Sequence, residues 1–190
     1  TSASARACRG PLRLKDFVFQ IVFKKNKPIW RNSKENPIYA YFYPNENKKK
    51  IYRPKEKDKK YKFLSSAGMS KLYQGFDQLP EKGNLLIITK SMKDVMVLHE
   101  FGYNAIAPNG EGYDIDEEFY DALNHRFDNI ILFYDNDLAG RTAVVSLSSK
   151  LGCCYIQIPK DQFDTKDISD YYYNYGERET GKLLFQLIGL

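Results

Sequence analysis

The sequence predicts an α/β protein: a parallel sheet flanked by helices, preceded by a small, basic, β-rich subdomain. Three observations carry that expectation. Residues 85–89 and 130–134 are short runs of apolar, mostly branched side chains without alternation, the pattern of strands buried on both faces in parallel sheets. Around them strand-like and helix-like segments alternate, which builds right-handed βαβ units. The charge is also split: residues 1–82 carry 20 Lys/Arg against 7 Asp/Glu, and residues 83–190 carry 9 against 17. A +13 half joined to a −8 half suits phosphate binding on one side and cation binding on the other. A solvated basic surface gives the same count.

Taken in order, residues 1–16 read as a disordered arm or vector remnant, and the chain opens without an initiator methionine, as a fragment or processed protein would. Residues 17–82 form the expected basic subdomain. Residues 17–23, 37–44 and 50–54 are rich in aromatic and β-branched side chains and read as strands. Residues 45–50 turn between the second and third, and residues 55–62 form a basic loop. Residues 71–80 connect to the second domain, residues 83–190. There the order is a strand at 85–89, a helix near 93–101, a strand at 103–107 and a glycine loop at 108–112. A helix opened by Asp116-Glu117-Glu118 follows. Next come the strand at 130–134, a helix over 139–151, a strand at 154–158 and a tyrosine-rich helical tail.

The second apolar strand runs directly into Asp135-Asn136-Asp137-Leu138-Ala139-Gly140. Side chains at such a strand end project into the crevice at the carboxyl edge of the sheet, where open α/β folds bind ligands. Asp135 and Asp137 there suit a hard divalent cation holding phosphate. Asp-Asn is also turn and helix-cap chemistry. The same edge receives Lys90, Ser91 and Asp94 from the first strand. In the basic subdomain, Tyr39, Tyr41, Tyr43 and Tyr52 lie among cations, a mixture that suits single-stranded nucleic acid and equally cross-strand packing.

Strand–Asp-x-Asp-x-Ala-Gly–helix resembles the second motif of the Toprim domain of primases and topoisomerases. With the basic front, the chain resembles the Toprim-containing RNA-polymerase (primase) domain of bacteriophage primase–helicases, relatives of the mitochondrial helicase Twinkle. The resemblance implies template-directed synthesis of short RNA primers on single-stranded DNA from ribonucleoside triphosphates. It implies Mg2+ or Mn2+ held by Asp135 and Asp137, with Asp167 of Lys166-Asp167 as a third acidic group and Asp94 as the motif aspartate after the first strand. Arg53, Lys55, Lys59, Lys60 and Lys62 fall where the family grips nucleotide and template phosphates. Such domains work beside a helicase and a zinc-binding domain, in the cytoplasm of a bacterial or phage-infected cell. The family's first motif, Glu-Gly-x-x-Asp, reads Lys90-Ser91-Met92-Lys93-Asp94 here. A lysine replaces the glutamate, so Lys90 either neutralises the aspartates, grips phosphate or extends to solvent. That departure leaves open a degenerate Toprim module that binds single-stranded nucleic acid without making primers. A Toprim nuclease or topoisomerase fits less well, because no nucleophilic tyrosine context is evident.

Other chemistries find little support. Cys8, Cys153 and Cys154 have no Cys-x-x-Cys spacing for zinc or a disulfide framework. His99 and His125 sit in helical stretches with no nucleophile beside them. The loop Asn109-Gly110-Glu111-Gly112 lacks nucleotide-binding glycine spacing. No apolar run approaches the roughly 20 residues of a membrane span.

Overall fold

The computed structural model describes residues 32–110, 115–160 and 163–189. The expected arm, the strand at 17–23, Cys8, and Glu111 and Gly112 of the glycine loop lie outside the described residues. The chain divides into two compact units, residues 1–69 and 70–190. This boundary falls earlier than the 82/83 junction expected from composition, because residues just after 70 already pair into the second sheet.

In the first unit, strands β1 (Tyr39–Tyr43), β2 (Lys48–Tyr52) and β3 (Phe63–Ser65) form an antiparallel sheet in that order. Tyr39 faces Tyr52, which faces Phe63, and the three rings stack across the strands with centroids 6.2 and 4.8 Å apart. Cross-strand packing therefore accounts for Tyr52 and Tyr39. Ile38, Ala40 and Ile51 are buried. The basic loop contains a helical turn, α1 (Lys59–Lys62), whose Lys60 N–H donates to the Asp58 side chain.

The second unit holds a five-stranded sheet in the order β4-β6-β5-β7-β8, formed by β4 (Tyr73–Gln74), β5 (Gly83–Ile88), β6 (Asn104–Pro108), β7 (Phe127–Phe133) and β8 (Cys154–Ile156). Strands β6, β5, β7 and β8 are parallel, and β4 pairs antiparallel with β6 at the edge. The segment expected to be only a connector thus supplies an edge strand. Helices α2 (Met92–Glu100), α3 (Glu117–Asn124) and α4 (Leu138–Leu151) link the strands. Helix α5 (Ile168–Ile188) breaks at Gly176, where φ is 78°.

Leu86, Ile88, Ile106, Leu123, Leu132 and Val144 are at most 1% exposed and form the core. Burial of that kind contributes about 1.5–3 kcal/mol per large aliphatic side chain. Strands β5 and β7 are neighbours with Ile88 level with Leu132, so their carboxyl ends lie side by side. From β5 the chain crosses to β6 on one side; from β7 it crosses to β8 on the other. This reversal opens a crevice at the carboxyl edge between β5 and β7.

Candidate functional site

Three carboxylates converge at that crevice from three different elements. Asp94 lies in the first turn of α2 after β5, Asp135 follows β7, and Asp167 is the N-cap of α5. One oxygen of each lies within 4.8 Å of the other two. Several hydrogen bonds fix this arrangement. The Ser91 hydroxyl donates to Asp94 Oδ2 at 2.6 Å, and the Ser169 N–H donates to Asp94 Oδ1 at 3.2 Å, tying α5 to α2. Asp167 Oδ1 accepts from the Asp170 N–H at 2.7 Å and the Ser169 hydroxyl at 2.6 Å. Gly140 lets α4 start directly against Asp135: a Cβ there would collide with the Asp135 carbonyl group.

The electrostatics mark a site short of positive charge. Asp94 is 1% exposed. Burial pushes its carboxyl up to about 7, and the charges of Asp167 and Asp135 push the same way against the Ser91 hydrogen bond. Asp135 is also raised by burial, with Lys166 opposing. Three acidic oxygens from rigid element ends form a donor set that fits a hard divalent cation. A bound ion would relieve the cost of keeping Asp94 ionised.

Asp137, expected to join Asp135 as a principal ligand, lies outside the group of three converging carboxylates. It caps α4 by accepting the Gly140 N–H at 2.8 Å, and that bond holds its carboxyl below the ordinary range. It is 45% exposed, against 20% for Asp135 and 12% for Asp167. Asp94, read from the sequence as a motif residue beside the metal pair, is instead the most buried member of the cluster. Lys166, which the sequence offers only as the residue before Asp167, has its ammonium 3.0 Å from Asp135 and 3.3 Å from Asp137. Lys90, expected to neutralise or grip, lies over the Tyr134 ring, 4.4 Å from its centroid. A cation–π contact there stabilises it by about 0.5–2 kcal/mol, so it neither pairs with the aspartates nor simply runs to solvent.

In the first unit, Lys55, Lys59 and Lys60 are exposed and Lys62 is half-buried. Arg53, expected to grip phosphates, is buried. It is 7% exposed, its guanidinium pairs with Glu56 at 2.5 Å, and it donates to the Tyr61 carbonyl at 3.4 Å. Its charge is thereby committed to holding the loop before α1.

Residues 87–172 match the family described as Toprim-like. Solved structures extend the likeness to primase catalytic cores. A DnaG primase catalytic domain bound to single-stranded DNA superposes with a TM-score of 0.58 at 17% identity, covering 80% of this chain and 52% of that one. The primase fragment of the bacteriophage T7 primase–helicase gives 0.57 at 21% identity, covering 81% and 65%. A DNA primase domain from Pseudomonas aeruginosa gives 0.61 at 19%, covering 83% and 52%. The chain thus spans about half the length of the two DnaG-type or bacterial domains and 65% of the phage fragment. No curated protein matches it. Among the described residues, no helix is long and apolar enough to cross a membrane.

Proposed function

We propose that the chain is the RNA-polymerase domain of a DNA primase of the bacteriophage primase–helicase type, related to Twinkle. It makes short RNA primers on single-stranded DNA by nucleotidyl transfer. The observation that carries this reading is the convergence of Asp94, Asp135 and Asp167 at the carboxyl edge of a Toprim-like sheet. These three residues would hold Mg2+ or Mn2+, which supplies charge neutralisation for a triphosphate and activation of a primer 3′-hydroxyl. The chain's own groups orient the site: Ser91 and Ser169 fix the Asp94 carboxylate, and the Asp167 cap fixes the start of α5. Lys55, Lys59, Lys60 and Lys62 would hold template or nucleotide phosphates. The partners are single-stranded DNA, ribonucleoside triphosphates, a helicase and a zinc-binding domain in the same chain or complex, in the cytoplasm of a bacterial or phage-infected cell.

One observation favours a second reading, a Toprim module that binds single-stranded DNA without synthesis: a lysine stands at the glutamate position, held over Tyr134. Primer synthesis on single-stranded DNA with labelled ribonucleotides separates the two. Divalent-ion-dependent products that vanish in Asp135→Asn support the primase. DNA binding with no products from the natural chain, even with a helicase and a zinc-binding domain supplied, supports the module.

A further inference from the structure

The carboxylates at the sheet edge outline two cation positions that share Asp135. One is bounded by Asp94, Asp135 and Asp167. The other lies between Asp135 and Asp137, and there the Lys166 ammonium already stands, 3.0 and 3.3 Å from the two carboxylates. We propose that Lys166 is a built-in cation occupying the position where a second divalent ion would bridge Asp135 and Asp137, so that the domain takes one ion rather than two. The proposal rests on the reading of Asp94, Asp135 and Asp167 as a metal site.

The backbone that carries Lys166 is held beside the two aspartates. Its carbonyl oxygen accepts the N–H of Asn136 at 2.6 Å, the residue between the two aspartates. Asn136 is itself 5% exposed, and its side-chain oxygen accepts from Arg141 Nε at 3.1 Å. The loop carrying Lys166 is therefore pinned to the loop carrying Asp135 and Asp137. Of two other lysines nearby, Lys93 pairs with Asp167 at 4.0 Å and Lys90 lies over the Tyr134 ring.

A fixed ammonium differs from a bridging metal ion in two ways. It carries one charge instead of two, and it offers no open coordination position for a phosphate oxygen or water. In a two-metal clamp the ions sit about 3.5–4 Å apart and grip both the attacking and leaving oxygens. With Lys166 in place, the single ion would supply all the coordination positions and the ammonium only positive charge.

Mn2+ titration of the full chain, followed by electron paramagnetic resonance of free and bound ion, tests this directly. The expected stoichiometry is one Mn2+ per chain for the natural protein and for Lys166→Arg. It is two for Lys166→Met, with spin–spin broadening from a neighbouring pair, and one again for Lys166→Met combined with Asp137→Asn. Circular dichroism establishes that each variant is folded, and Lys166 is 52% exposed, so its replacement leaves the core intact. Two ions in the natural protein overturn the proposal. So does a folded Lys166→Met that still binds one ion, even more tightly, because Lys166 would then be only a nearby charge. No binding by the natural protein defeats both this inference and the metal reading beneath it, a different result from either of the others.

Discussion

Ser91 and Asp94 exchange hydrogen bonds in both directions: the Ser91 hydroxyl donates to Asp94 Oδ2 at 2.6 Å and accepts the Asp94 N–H at 3.3 Å. One serine thus caps α2 and sets the orientation of the most buried acid of the site. Ser91→Ala should destabilise the second unit by about 1 kcal/mol, the usual cost of a lost cap. It should also weaken Mn2+ binding, since Asp94 loses the hydrogen bond that favours its ionised form. Urea denaturation and Mn2+ titration of the same variant read both effects. A stability loss with unchanged affinity would reduce Ser91 to a cap.

Asp94 also makes metal-free stability depend on pH. Its folded carboxyl is raised to about 7 from 3.8. The stabilising contribution is therefore fully present below about pH 4 and is lost as pH rises to about 7. Above that, Asp94 is ionised and buried at a cost on the order of a few kcal/mol. Asp94→Asn should accordingly raise metal-free stability at pH 8, raise it less at pH 5, and abolish metal binding. Denaturation at the two pH values checks the sign. Equal effects at both would show that Asp94 is not held protonated.

Gly140 is required by the close start of α4. An added Cβ would stand 2.8 Å from the Asp135 carbonyl carbon, closer than real Cβ atoms come. Gly140→Ala should cost about 1–3 kcal/mol, as overpacking does, and should weaken metal binding by displacing Asp135. A fully stable variant with natural affinity would show that α4 shifts at little cost.

Strands β5 and β7 were legible as strands because both faces are buried, which requires a continuous apolar run. Strand β7 begins earlier than its apolar run, at Phe127, because Asn129 pairs with Leu85 while its side chain stays exposed. Strands β3 and β4 span three and two residues, too few for a period to register. Tyr73 pairs with Pro108, far along the chain, so only tertiary structure reveals it. The aspartates after β7 were visible, but their division of labour was not. The backbone turns between them, leaving Asp135 in the crevice and making Asp137 a helix cap. Lys166 became a counter-ion through the Asn136–Lys166 hydrogen bond, for which no sequence pattern stands.

In the first unit, Lys55, Lys59 and Lys60 should contribute to binding of single-stranded DNA through phosphate contacts. Each contact adds about 0.7 to the logarithmic salt slope on single strands, so replacing all three by Ala should flatten the slope by up to about 2. Arg53→Ala should instead destabilise the loop that Arg53 holds through Glu56 and Tyr61. Fluorescence anisotropy across a salt series separates the two cases. An unchanged slope in the triple variant would remove these lysines from the interface.

On the proposed reading, Asp94, Asp135 and Asp167 form the cation site, with Asp137 serving mainly as a cap. Calorimetric titration of Mg2+ into the natural chain, Asp135→Asn and Asp137→Asn tests it most directly. Saturable binding is expected of the natural chain, with loss of binding in Asp135→Asn and retained binding in Asp137→Asn. Equal binding in the natural chain and Asp135→Asn, or loss confined to Asp137→Asn, would contradict it.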